Sequence, residues 1–488
     1  MKAQLTPQEM MAISEFFRKK GLPLDIALTF EDLAMPEGYS EIDSRSDIKD
    51  LGVDLFSNLH LNIPIISANM ESVSGSELII ALEREGGLGI PPQSLPLGER
   101  LDILERILRA ECAVIDEPLT IEPTAMLGQA KKIMSQFGVS GLVVVDKRKR
   151  VAGILSSRDW RYEKDDERLV LQLMTSKNLI TAPAGISFDD ATKIMRQHKI
   201  EKLPLVDEKK KLVGLMTARG LFYNIHHPRA LRDDKGRFIR VGSIGVAGRS
   251  RSVDDLLSEV EAQMEKGIAA LLVDTARGYA INVEKTIRAV KKRFDIPVIA
   301  GNVSTAEGAK FLIECGADAV KVGQGPGEAC ITRSVTGIGI PQITAIAECS
   351  TVAPVIGDGG IKSGQHIAKA LIAGASSVMV GALLCGTRES PPVATFNKDG
   401  FLVKEYEGSA SLAAQLRRKA RGDLDYIREP EGRKEEVPVT GTVSECVNRL
   451  LGGLRSAMSY FGARNIKELQ EKGWFRRQSR AGYDEGVK

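Results

Sequence analysis

Eight short apolar runs recur along the chain, and each hands over to a polar, helix-spaced stretch through glycine or small polar residues. They are Leu61–Ser67, Leu88–Ile90, Val241–Val246, Ala269–Thr275, Ile296–Gly301, Ala317–Gly323, Val352–Gly360 and Ser376–Leu383. Runs this uniformly apolar predict strands covered on both faces, and their alternation with helices predicts a parallel sheet. Eight such units predict a closed (β/α)8 barrel of the TIM type. An open doubly wound sheet is the alternative, but the dinucleotide glycine fingerprint is not clearly present. In a barrel, the C-terminal strand ends surround one mouth, which here would gather Ser67, Asp274, Asn302, Gly323, Asp358 and Gly381.

The alternation breaks after the second run. Lys132-Ile-Met134 matches Lys193-Ile-Met195, Leu142–Asp146 matches Leu203–Asp207, and Gly153–Asp159 matches Gly214–Gly220, all at an offset of 61 residues. This is an internal duplication whose halves are expected to pack together. Each half reads helix, strand, tight charged turn, strand, helix. The predicted division is therefore a first barrel part at 1–111, an insert at 112–229 with halves at about 112–172 and 173–229, and a second barrel part at 230–488 ending in a flap and tail.

A chain of 488 residues exceeds one ordinary domain, in keeping with that division. A formal net charge of +3 is too weak to argue for nucleic acid or a membrane surface. The six cysteines form no C-x-x-C pair, and five histidines give no visible zinc cluster. A reduced, cytoplasmic setting is expected. The N-terminal residues lack the apolar core of a signal peptide, and no apolar run is long enough to span a membrane.

Chemistry concentrates in the stretch Val320–Arg333. A strand ends at Gly323, a glycine-rich turn follows, and Cys330 sits on that turn. Such a loop brings backbone groups close to a ligand, and a cysteine there is a candidate nucleophile. The competing reading is a free thiol tucked behind a turn. Asp274 can accept hydrogen bonds from a sugar or carboxamide. Asp358 suits a sugar diol, with Gly359 and Gly360 presenting N–H groups to a phosphate. Gly381 offers a second such turn. Glu389 is a candidate proton-handling carboxylate or a surface turn residue. The basic stretch Ala413–Gly422 and the charged, turn-rich Asp425–Pro438 are either a mobile flap over the mouth or exposed decoration.

These stretches resemble the IMP dehydrogenase and GMP reductase family over nearly the whole chain. The likeness is carried by Leu28-Thr-Phe-Glu-Asp32, Ser67–Val73, Gly301-Asn-Val303, Gly323–Arg333, Thr336–Gln342, Gly357-Asp-Gly-Gly360 and Gly452-Gly-Leu-Arg455. It implies a TIM barrel with an inserted tandem CBS-domain pair, assembled as a homotetramer or octamer. It implies Cys330 as the residue that attacks C2 of a purine nucleotide, with Thr332 and Glu389 handling protons. Substrate contacts fall on Ser67, Asn302, Asp358, Gly359, Gly360, Gly381, Tyr406, Glu431 and Gly432. Cofactor contacts fall on Asp274, Thr275, Ala276 and Gly323. A potassium ion would rest on the backbone of Gly325, Gly327 and Cys330. Ser156, Asp159 and Thr217 map onto the regulatory adenine- or guanine-nucleotide positions of the CBS pair.

Within the family, the missing Arg-Tyr-Phe of the flap favours an NADPH-dependent GMP reductase. An NAD-dependent IMP dehydrogenase and a non-catalytic purine-nucleotide sensor are the alternatives. Four departures bear on the substrate. Glu328 stands where relatives carry a phosphate-contacting serine, Ile331 replaces a threonine, Ala382 replaces a serine after Gly381, and Gly408-Ser-Ala-Ser411 replaces the usual Gly-Met-Gly-Ser. Gly220 replaces the aspartate of the second CBS half, so one competent and one altered nucleotide site are expected.

Overall fold

The computed structural model describes residues 3–56, 59–111, 114–248, 251–424 and 426–486. The chain divides into two compact units: residues 1–108, 229–231 and 238–488, and residues 109–228 with 232–237. The expected insert boundary at Cys112 lies outside the described residues, as does Asp425.

The larger unit is built on a parallel sheet of seven strands. In chain order they are β1 (Ile65–Ser67), β2 (Val241–Ile244), β3 (Ala270–Asp274), β4 (Val298–Val303), β5 (Ala319–Val322), β6 (Val355–Asp358) and β7 (Ser377–Val380). They pair in the order β2-β3-β4-β5-β6-β7-β1. Apart from Asp274, Asn302 and Asp358 at or next to the ends of β3, β4 and β6, nearly every strand position is buried, because helices cover the sheet. Seven ladder strands, not the expected eight, form this sheet. The eighth run, Leu88–Ile90, makes a single parallel bridge between Leu88 and Ile66. Leu88 exchanges main-chain bonds with Ile65 and Ser67 of β1, and farther on the Pro91 carbonyl accepts the Ser243 hydroxyl of β2 at 2.7 Å. The sheet is thus an arc of a barrel-like core with flanking helices.

Two further features of this unit position its mouth. The long helix Val443–Tyr460 starts with a Thr442–Glu445 capping box. The basic stretch holds a helix, Leu412–Ala420, capped by Ser411, and the turn-rich segment ends in a strand, Lys434–Pro438, paired antiparallel with Leu402–Glu407. Cross-strand pairing supplies the order that the charged sequence does not advertise.

The smaller unit repeats a helix and two strands. Helix Leu127–Phe137, strand Gly141–Val145 and strand Val151–Ser156 recur as Phe188–His198, Lys202–Val206 and Leu212–Thr217. The offset is 61 residues for every boundary, so the duplication is structural as well as textual. Each charged turn is tied by its aspartate. Asp146 Oδ1 accepts Arg148 and Arg150 N–H, and Asp207 Oδ1 accepts Lys209 and Lys211 N–H. The charges themselves face solvent. Among the described residues, no helix of either unit is long and apolar enough to cross a membrane.

Candidate active site

The C-terminal ends of β3 to β7 open into a cavity of about 190 Å³ in the larger unit. Its floor is a charged network. Lys321, the third residue of β5, places Nζ 2.7 Å from Asp358 Oδ2 at the end of β6 and 3.0 Å from Asp274 Oδ1 at the end of β3. Asn302 of β4 donates to the same Asp358 oxygen at 2.8 Å and to the Gly323 carbonyl at 2.7 Å. Asn69 donates to Asp274 Oδ2 at 2.9 Å. Burial works against the Lys321 charge, but the two aspartates outweigh it and hold the ammonium above its ordinary range.

Cys330 forms one wall. The turn before it begins at Gly323, whose φ of 149° and contact with the Asp358 carbonyl leave no room for a Cβ. Gln342 locks the same corner by donating to Val322 O at 2.9 Å and Asp358 O at 3.1 Å. The Cys330 thiol lies 3.4 Å from the Thr332 hydroxyl. Among the described cysteines, Cys330 alone is not buried. Burial pushes the thiols of Cys315 and Cys385 up to about 11 and about 12, which leaves them inert beside an accessible one.

A cover lies over this wall. Cys330 bridges Gly432, Ile331 N–H donates to Glu431 O at 2.9 Å, and Arg433 N–H donates to Ala329 O at 2.9 Å. Ser411 also bridges Gly432, and Gly408 N–H donates to Arg433 O at 3.0 Å. Tyr406 closes the far side, with its hydroxyl 3.5 Å from Met70 Sδ. Burial drives this phenol far above its ordinary range, so it stays a proton donor.

The cavity thus brings together Asp274, Thr275, Ala276, Asn302, Gly323, Gly325, Gly327, Cys330, Thr332, Asp358, Gly359, Gly381, Tyr406, Glu431 and Gly432. Three expected residues stand elsewhere. Ser67 is fully buried behind the mouth, its hydroxyl 2.6 Å from that of Ser74, and Ala68, Asn69 and Met70 line the cavity in its place. Gly360 packs on Phe30. Glu389 accepts the Val443 N–H at 3.0 Å, at the start of the long C-terminal helix, because its loop is wound round the buried Lys404. Glu328 is exposed and outside the cavity wall. In the smaller unit, Ser156 and Asp159 form a capping box and Thr217 caps the helix Ala218–His226.

Lys321, Asn69 and Gln324 were not anticipated. A lysine inside the otherwise apolar Ala319-Val-Lys-Val322 is the one textual sign, since a buried ammonium needs carboxylate partners.

Comparison with known proteins follows the same outline. Residues 27–488 match the model of the IMP dehydrogenase / GMP reductase domain. Inosine-5'-monophosphate dehydrogenase of Aquifex aeolicus is 43% identical over 470 residues, covering 94% of each chain. That of Bacillus subtilis is 39% identical, covering 96% of this chain and 95% of its own. Among solved structures, a variant GMP reductase of Trypanosoma brucei in complex with guanosine 5'-monophosphate superposes with a TM-score of 0.86 at 32% identity, covering 95% of this chain and 98% of that one. By sequence and by fold, the chain belongs to the IMP dehydrogenase and GMP reductase family of oxidoreductases.

Proposed function

We propose that the chain is an NAD-dependent IMP dehydrogenase working through a covalent Cys330 adduct. The observation that carries the chemistry is an accessible Cys330 thiol on a wall that faces Asp358 and Asn302 across one cavity. Cys330 Sγ bonds to C2 of the purine while the hydrogen at C2 leaves with its electron pair as hydride. Asp274, Thr275 and Ala276 would hold NAD, which would supply the acceptor for that hydride. Water then bonds to C2, the C–S bond breaks, one proton is released and xanthosine 5'-monophosphate leaves. Thr332 stands at the thiol to relay its proton. Asp358 and Asn302 take the ribose hydroxyls, and Gly359 and Gly381 the phosphate. The acceptors at Asp274 fit a dinucleotide's ribose or carboxamide.

The oxidative direction is supported by identities of 39–43% to inosine-5'-monophosphate dehydrogenases, against 32% to the GMP reductase structure. This moves the weight away from the reductase reading of the sequence. GMP reductase remains the second reading, favoured by that structure's TM-score of 0.86 and by the absence of an Arg-Tyr pair between Leu412 and Arg433. There Cys330 would add to C2 of GMP, ammonia would leave, and NADPH would return hydride to C2. Glu389, fixed at a helix start, is a less direct proton donor for that step. Absorbance at 340 nm separates the two. IMP with NAD is expected to raise it, and a fall with GMP and NADPH instead would establish the reductase.

The closed eight-strand barrel, the homotetramer and a potassium ion on the Gly325–Cys330 turn belong to the same proposal. So does the smaller unit as a CBS pair for a regulatory adenine or guanine nucleotide. The repeat of one helix and two strands at a single offset supports that last assignment. Potassium dependence is tested by replacing KCl with LiCl at constant ionic strength.

A further inference from the structure

We infer that Lys321 is a positioning residue shared by both halves of the cavity: one buried ammonium aims Asp274 toward the cofactor and Asp358 toward the nucleotide ribose. This rests on the assignment of those two aspartates proposed above. The sheet order explains how one side chain serves both. Asp274 ends β3, Asp358 ends β6, and Lys321 rises from β5 between them, with Asn302 of β4 completing the row. Lys321 is 4% exposed, and its Nζ lies within 3.0 Å of both carboxylates. Each aspartate then has one cationic and one amide partner, Asn69 for Asp274 and Asn302 for Asp358. Both hydrogen bonds to the Asp358 carboxylate use Oδ2, and among the described residues no donor reaches Oδ1. That oxygen is left to accept a ligand hydroxyl.

A buried ion triad contributes little net stability, and apolar replacement is often neutral or better. Its retention on the floor of the cavity is therefore better explained by positioning than by folding. Without the ammonium, two carboxylates within reach of one point would compete for a single proton. Among the described residues, no other lysine or arginine lines the cavity to replace it.

The test compares wild type with Lys321→Met, Lys321→Arg, Asp274→Asn and Asp358→Asn in the full chain, reading kcat and KM for IMP and NAD from pH 5.5 to 8.5. Lys321→Met is expected to raise both KM values by about tenfold or more, with a loss of kcat/KM toward low pH that wild type lacks. Asp274→Asn is expected to raise KM for NAD alone, and Asp358→Asn KM for IMP alone. Lys321→Arg keeps the charge but cannot seat one nitrogen between both carboxylates. It is expected to raise both KM values by roughly threefold, and it decides the matter if the methionine variant does not fold. A rise in one KM only, or a fall in kcat with both KM values and the pH profile unchanged, overturns the inference. Calorimetry with IMP and with NAD separates the failures. Wild type that binds both without turnover sinks the proposed reaction, and the inference is then decided by whether Lys321→Met loses both affinities. Wild type that binds neither sinks both.

Discussion

The floor and the cover of the cavity are held in opposite ways. The floor depends on side-chain identity: Asp274, Lys321, Asp358 and two asparagines, each fixed by a charge or an amide. The cover depends on backbone: main-chain bonds join Glu431, Gly432 and Arg433 to the cysteine turn, and Gly408 and Ser411 to Arg433 and Gly432. A floor of that kind tolerates little substitution but needs no motion. A cover of that kind accepts many sequences, because main-chain bonds do not depend on side-chain identity. Binding is thus assigned to the floor, and access to Cys330 to the cover.

The sharpest break in this comparison is Cys330→Ala. Turnover is expected to fall by about a thousandfold or more while nucleotide affinity, a property of the floor, changes little. Equal loss of affinity, read by calorimetry, would merge the two regions. Next is Gly323→Ala at the junction of floor and wall. A φ of 149° and a collision with the Asp358 carbonyl are expected to cost about 2–3 kcal/mol in denaturant unfolding and most of the activity.

His366 sharpens the floor side. It stacks on Phe30 at 4.9 Å and lies 3.1 Å from the Gly360 carbonyl, just below the Asp358 turn. Burial lowers its pKa from 6.5 to about 4, so the folded state keeps it neutral where the unfolded chain binds a proton. Stability is therefore unaffected above pH 6.5 and falls as pH drops from 6.5 toward 4, by on the order of 2–3 kcal/mol. In melting curves, His366→Leu is expected to flatten that slope; an unchanged slope would assign it to other groups. The smallest effect belongs to the cover. Arg417 pairs with Glu407 at 2.6 Å and Glu71 at 3.3 Å, yet is substantially exposed. Arg417→Ala is expected to cost about 1 kcal/mol or less, with KM shifted a few fold through a looser cover.

The two regions were unequally legible in the sequence. Strand ends carrying Asp274, Asn302 and Asp358 could be read because buried parallel strands are apolar runs with polar stops. The duplicated unit could be read because matching residues keep one offset. Lys321 escaped because a four-residue strand has no periodicity to violate, and its partners lie on other strands. Leu88–Ile90 reads as a very short strand, and so short a run sustains only one bridge. A flap was anticipated, but its strand Lys434–Pro438 escaped because it is charged and takes its order from Leu402–Glu407. Glu389 was drawn toward the mouth by its place after the last strand, while the Lys404 cage and the Val443 N–H hold it elsewhere.

Cys330 as the nucleophile is tested most directly by intact-protein mass spectrometry after acid quench of a reaction with IMP and NAD, followed by peptide mapping. A mass increase of one purine nucleotide, placed on Cys330 and absent from Cys330→Ala, is the predicted result. Turnover without any adduct, or an adduct on another cysteine, would contradict it.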